Sequence, residues 1–204
     1  MVTLPFHLVN AGRGEAIEYC RQRGIGVVAM NPLGGGRLAR PVPVLVKLAG
    51  ELGFGSPVEA ALRFVAHWPG ITTALNGITL AEHATEGVAA VAAGPIPADA
   101  QESLQQRLGE IYQSVHPRHL CSACGYCGQC PQGILIPKVL EAWTGMQIPS
   151  MAEQAGADAR AHVEADEEGW DPSVCTACGE CEAKCPNKIP VSELMAAAAD
   201  AWPR

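Results

Sequence analysis

The sequence predicts an α/β segment of three strand–helix units followed by a mostly helical, cysteine-rich tail. Three observations carry that prediction. Apolar residues alternate in "VTLPFHLV" and run continuously in "GIGVVAM", while helix starts and helical apolar spacing fill the intervals. Charge is divided unevenly: residues 1–94 hold six acids against seven bases, and residues 95–204 hold fifteen against seven. Finally, eight of the nine cysteines fall within 121–130 and 175–185, and each set closes on Cys-Pro.

The chain has 204 residues, of which 48% are apolar, enough to bury a core in one medium domain or two small ones. The charge seam at Gly94-Pro-Ile-Pro97 sets the expected boundary, giving domains 1–94 and 95–204. An acidic second half repels phosphate, so a nucleic-acid role is not expected. The run Glu164 to Asp171 reads as a solvated helix or loop. The chain starts with no basic and apolar leader pattern, and no apolar run approaches the roughly 18 residues a membrane span requires. The expectation is a soluble, cytoplasmic protein with reduced thiols, in which clustered cysteines bind metal or do redox chemistry rather than form disulfides.

Val2, Leu4, Phe6 and Leu8 mark the first strand, and a helix from about Glu15 to Arg23 stops at Gly24. The β-branched run before Asn31-Pro-Leu-Gly-Gly-Gly36 suits a strand buried on both faces and closed by a glycine loop. Ser56-Pro-Val-Glu59 is a capping box opening "VEAALRFVAHW". "ITTALNGI" is the third strand, and Thr79-Leu-Ala-Glu82 is a second capping box opening the next helix. Alternating elements of this kind imply parallel strands. Asp99-x-x-Glu102 opens a connecting helix that buries Leu104, Leu108 and Ile111. The tail adds helices in "IPKVLEAWTGM", "AGADARAHVEADEE" and "PVSELMAAAADAW".

Three units are too few for a closed (β/α)8 barrel of about 250 residues, so residues 1–94 look like the last part of one. "LPFHLVN", "GIGVVAMNPLGGGRL" and "SPVEAALRFVAHWPGITTALNGITLAEHATEGVAA" resemble, in order and spacing, the sixth to eighth units of aldo/keto reductases. The cysteine-rich tail extends the resemblance to the iron–sulfur branch of that family, so that it covers the whole chain. The resemblance implies a nicotinamide dinucleotide, NAD(P), near Asn31, Leu33 and Gly35 after the seventh strand, and near Thr79 and His83 after the eighth. Read without the family, the glycine turn is either a structural turn or an anion site. The family's aspartate, tyrosine, lysine and histidine belong to a barrel half that is absent here. Tyr19 and Lys47 fall in later units, so no residue is assigned a catalytic role. A truncated chain, inactive until that half is supplied, is one expectation.

"CTACGECEAKCP" has the C-x2-C-x2-C-x3-C-P spacing of bacterial ferredoxins. Three thiolates two residues apart wrap one corner of a cubane, and the fourth points to the other cluster. Applied here, Cys121, Cys124, Cys127 and Cys185 hold one [4Fe–4S] cluster, and Cys175, Cys178, Cys181 and Cys130 hold another. The first motif has one residue fewer between Cys127 and Cys130, a shortening that the iron–sulfur aldo/keto reductases share. Structural zinc is the competing metal, but it favours two separated C-x2–4-C pairs. Cys20 reads as a small buried apolar residue and His116 and His119 as solvated. The expected architecture is a partial TIM barrel followed by a mostly helical ferredoxin-like [4Fe–4S] domain. Expected roles are electron transfer with a redox partner protein, carbonyl oxidoreductase activity completed by the missing N-terminal barrel half, or clusters that are purely structural.

Overall fold

The computed structural model describes residues 1–116 and 119–203, which form two compact units, 1–110 and 111–204. The division falls inside a helix, beyond the charge seam at Gly94.

The first unit is mixed α/β. Strands β1 (Val2–Pro5), β2 (Val27–Met30) and β3 (Ile71–Leu75) form a parallel sheet in the order β1-β2-β3. Val27, Val28 and Ala29 of the central strand are buried, as their continuous apolar run requires. Pro5 sits on β1, which pairs on one side only, where a missing N–H costs no ladder bond. Helix α1 (Gly14–Gln22) packs on β2 and buries Ile17 and Cys20, the latter in the apolar setting expected of it. Helix α3 (Pro57–Ala66) is set by the expected cap: the Glu59 N–H donates to Ser56 Oγ at 3.0 Å, while the Glu59 carboxylate accepts from Gly55 N–H at 2.9 Å. Its buried face places Phe64 on Phe6, with ring centres 5.6 Å apart, and both rings lie 5.0 Å from Trp68. Arg63 ties the chain leaving helix α4 (Ala81–Ala92) back to α3 by donating to the Gly94 and Pro95 carbonyls.

Three expectations are corrected. Helix α2 (Pro43–Glu51) was not foreseen, although Pro43 in its first turn and buried Leu45, Leu48 and Ala49 give a legible pattern. Thr79 caps nothing: α4 starts at Ala81, and the Thr79 hydroxyl pairs instead with His83 Nδ1 at 3.3 Å. Asp99 lies inside the first turn of α5 (Ala98–Tyr112), because Pro97 already accepts the first helical bond from Gln101. Leu104 and Leu108 of α5 are buried as expected, whereas Ile111 is half-buried.

His7 was not singled out by the sequence, yet it is 3% exposed and its Nδ1 has no hydrogen-bond partner among the described residues. Burial, reinforced by the positive charges of Arg37 and Arg13, lowers its pKa from 6.5 to about 4. Between those values the unfolded chain binds the proton and the folded chain does not, so stability falls as pH drops through that window. The loss is on the order of 3 kcal/mol over the full window. Urea unfolding at pH 7 and pH 5 should show it, and His7→Leu should flatten this part of the pH dependence.

The second unit is helical. Helix α6 (Ile136–Met146) packs on α7 (Ala152–Glu164) and α9 (Val191–Ala201), and α8 (Glu180–Lys184) leads toward α9. Val139, Leu140, Leu194, Met195 and Ala198 form the core, and Cys185 belongs to it. Helix α7 ends at Glu164, so the acidic run to Asp171 is loop. Among the described residues no helix is long and apolar enough to cross a membrane.

Candidate metal centre

The two cysteine motifs fold as two copies of one loop. Ala123 and Ala177 both have positive φ, 49° and 51°, and the next residues but one, Gly125 and Gly179, follow at 77° and 76°. After each Cys-Pro the chain turns again at Gly133 and Lys188, with φ of 76° and 51°. The Gly133 N–H donates to the Cys130 carbonyl at 2.9 Å and the Lys188 N–H to that of Cys185 at 3.2 Å. Buried Ile134 and Ile189 come next, and helices α6 and α9 start at Ile136 and Val191. Positive φ disfavours residues with a Cβ, so three non-glycine residues in this conformation mark a backbone that the surrounding loop dictates.

The copies differ where their sequences differ. The extra residue between Cys181 and Cys185 allows the helical turn α8, whose Glu182 carboxylate accepts from the Ser192 N–H in the first turn of α9 at 2.6 Å. Between Cys127 and Cys130 there is no helix, and Gly128 turns at φ 72°.

Cys121, Cys124, Cys127 and Cys185 line one small cavity. The first three come from one motif and the fourth from the other, which is the crossed set expected from the sequence. Ile136, Pro137, Leu140, Ile189 and Val191 supply apolar wall. Cys185 is 8% exposed. The Ala123 N–H donates to Cys121 Sγ at 3.4 Å, an amide–sulfur contact of the kind that supports thiolate ligands. Burial pushes the Cys127 thiol above its ordinary range, and likewise Cys181, so both favour the neutral thiol unless a cation compensates. Among the described residues no group of three or more His, Cys, Asp or Glu side chains closes around a single metal ion. The four thiols share the lining of one small, apolar-walled cavity instead.

The second expected set is not gathered in the same way. Cys130, Cys175 and Cys181 pack against the helical core, whereas Cys178 is exposed. His116 is exposed, and its ring lies tilted against that of His119, with ring centres 5.3 Å apart. Asn31 (φ 56°), Leu33 and Gly35 follow β2, and Thr79 and His83 follow β3. Met30 lies opposite Leu75 in the parallel register, so both groups sit at the C-terminal end of the sheet. The Thr79–His83 contact occupies the side chains of that pair with each other. Sequence reasoning missed Ser122 and Asn187, which also line the cavity and are hydrogen-bonded across it at 2.9 Å.

Gly169 abuts the turn that leads into α6. Its carbonyl accepts from the Leu135 N–H at 2.8 Å, just before α6, and its φ is 83°. A Cβ there would meet the Gly133 carbonyl and Leu135 Cγ at 2.7 Å. Gly169→Ala should therefore cost about 2 kcal/mol or more, read as a lower thermal midpoint of the helical unit.

Within the C-terminal unit, residues 120–189 match the family model of the 4Fe-4S dicluster domain by sequence. Among curated proteins, an uncharacterized oxidoreductase of Schizosaccharomyces pombe is 32% identical over 85 residues, which is 42% of this chain. The match spans only 28% of that relative's length. No solved structure matches the chain significantly.

Proposed function

We propose that the protein is an electron-transfer protein carrying two [4Fe–4S] clusters, one on Cys121, Cys124, Cys127 and Cys185 and the other on Cys130, Cys175, Cys178 and Cys181. The observation that carries this reading is the single apolar-walled cavity shared by four thiols from two motifs. Each cluster, when bound, supplies a reversible one-electron couple. The chain's own part is to hold the thiolates, to exclude water with Ile136, Leu140 and Ile189, and to aim the Ala123 amide at Cys121 Sγ. Hydrogen bonds to sulfur and solvent exposure set the potential of such a site, so the set with exposed Cys178 and the set with buried Cys185 should differ. Anaerobic dithionite titration tests this: the visible absorbance should bleach and return on reoxidation, with a paramagnetic signal in the reduced state. A chain whose absorbance does not respond would instead carry clusters that only hold the domain together.

A second reading is favoured by the open sheet. Strands β1 and β3 each pair on one side only, and the oxidoreductase relative extends far beyond the matched segment. In that reading residues 1–94 are the last three units of an aldo/keto reductase-type barrel, and a further chain segment supplies the rest, together with the residues for carbonyl reduction. Asn31, Leu33, Gly35, Thr79 and His83 would then face the dinucleotide. Binding of NADPH or NADH to the isolated chain, or only after that segment is added, separates these cases.

A further inference from the structure

We propose that the Ser122–Asn187 hydrogen bond is a clasp that positions Cys185 beside Cys121, Cys124 and Cys127, so that this set holds its cluster tightly while the set containing Cys178 releases its own readily. The inference rests on the two-cluster reading above and adds an inequivalence to it.

Three thiols of the first set lie within one loop, and their spacing needs no outside help. Cys185 is different, because it arrives from the other motif. Something must hold that segment against the first loop, and Asn187 is two residues beyond Cys185 across Pro186. Its Nδ2 donates to Ser122 Oγ at 2.9 Å over a separation of 65 residues, and Ser122 directly follows Cys121. Ser122 is 3% exposed, so the bond is made out of water, and losing it loosens the segment that carries Cys185. Both partners line the cavity with the four thiols.

The internal repeat supplies the control. Thr176 corresponds to Ser122 and Gln132 to Asn187, since each occupies the same place after its cysteine. Both are exposed, and among the described residues no hydrogen bond joins them. The fold has one loop in two copies, but only one copy is clasped. The unclasped set also contains the exposed Cys178, whereas the clasped set contains the buried Cys185. A chelator or oxygen therefore meets an exposed ligand, Cys178, in one set, whereas in the other Cys185 is buried and clasped in place.

The test uses the full chain, loaded anaerobically, with iron release to a ferrous chelator followed over time. The wild-type chain should release iron in two phases of similar size. Ser122→Ala and Asn187→Ala should speed the slow phase about five- to tenfold, the effect of one lost buried hydrogen bond, and leave the fast phase unchanged. Ser122→Thr keeps the hydroxyl and should restore the slow rate. Thr176→Ala and Gln132→Ala should change neither phase. Ser122→Ala removes one oxygen, and an unchanged far-UV circular dichroism spectrum confirms its fold; loss of half its iron during purification would count in favour. An unchanged slow phase in a fully loaded Ser122→Ala chain, a single phase in wild type, or equal effects at Thr176 would overturn the clasp alone. A wild-type chain without iron and sulfide would overturn the cluster reading, and the clasp with it.

Discussion

Cys185→Ser should leave the chain with about half its iron and acid-labile sulfide, roughly four of each instead of eight, and with one paramagnetic signal in place of two on reduction. The reason is geometric. Cys185 lies in the second motif by sequence but lines the cavity of the first, with Cys121, Cys124 and Cys127. It is also part of the helical core, packed with Ile189, Val191 and Leu194. Serine there places a poorer ligand and a polar hydroxyl against apolar wall, so the clustered set is lost rather than loosened. Cys178→Ser should remove the other half, and because Cys178 is exposed it should do so with less effect on the stability of the unit. Had ligation followed the sequence blocks instead, with Cys130 completing the first set, Cys185→Ser would strip the second cluster and spare the first. The surviving signal distinguishes the outcomes: in the crossed arrangement it belongs to the set with Cys178, and Cys178→Ser in addition removes it.

Phe64→Ala should destabilise the α/β unit by about 3–5 kcal/mol, the usual cost of emptying a buried aromatic site. Phe64 is 1% exposed and packs between Phe6 of the strand end and Trp68 past the end of α3. Helix α3, which carries Phe64, is capped by Ser56 and held to the chain after α4 by the Arg63 bonds to Gly94 and Pro95. A unit of this size has about 5–15 kcal/mol of stability in all, so the thermal midpoint should fall by roughly 15–30 °C. Thermal unfolding by circular dichroism reads the change, with Phe64→Leu as the partial case. A shift of only a few degrees would mean that the aromatic trio is not the centre of this core.

The helices that pack by regular apolar spacing were legible in the sequence. Helix α6 occupies Ile136–Met146, the stretch that its apolar spacing marks, and α9 occupies most of its expected run. The three strands were legible for the same reason, although β1 is shorter than its alternation because the chain turns at His7 to pair with Asn10. Signals at helix ends were less dependable. Ser56 caps as its motif says, but Thr79 is drawn to His83 and Asp99 is pre-empted by Pro97. Helix α2 carried the proline and apolar spacing of a helix and was passed over in favour of a strict strand–helix alternation.

The cysteines were legible by spacing, and the cavity gathers the first crossed set. The parts of the site that depend on long-range approach were not legible. Nothing local in Ser122 or Asn187 points to a bond across 65 residues. Lys188 gives no local sign that it takes the left-handed conformation that Gly133 takes at the matching place of the first loop. His7 is a lone histidine in an apolar stretch, a pattern that carries no warning of an unpartnered buried nitrogen.

The most direct test of the whole account is the amount of iron and acid-labile sulfide bound per chain after anaerobic purification, measured with the visible spectrum. The two-cluster reading predicts about eight of each and a broad absorption near roughly 400 nm. Zinc without sulfide, or a chain that binds neither metal nor sulfide when both are supplied, would contradict it.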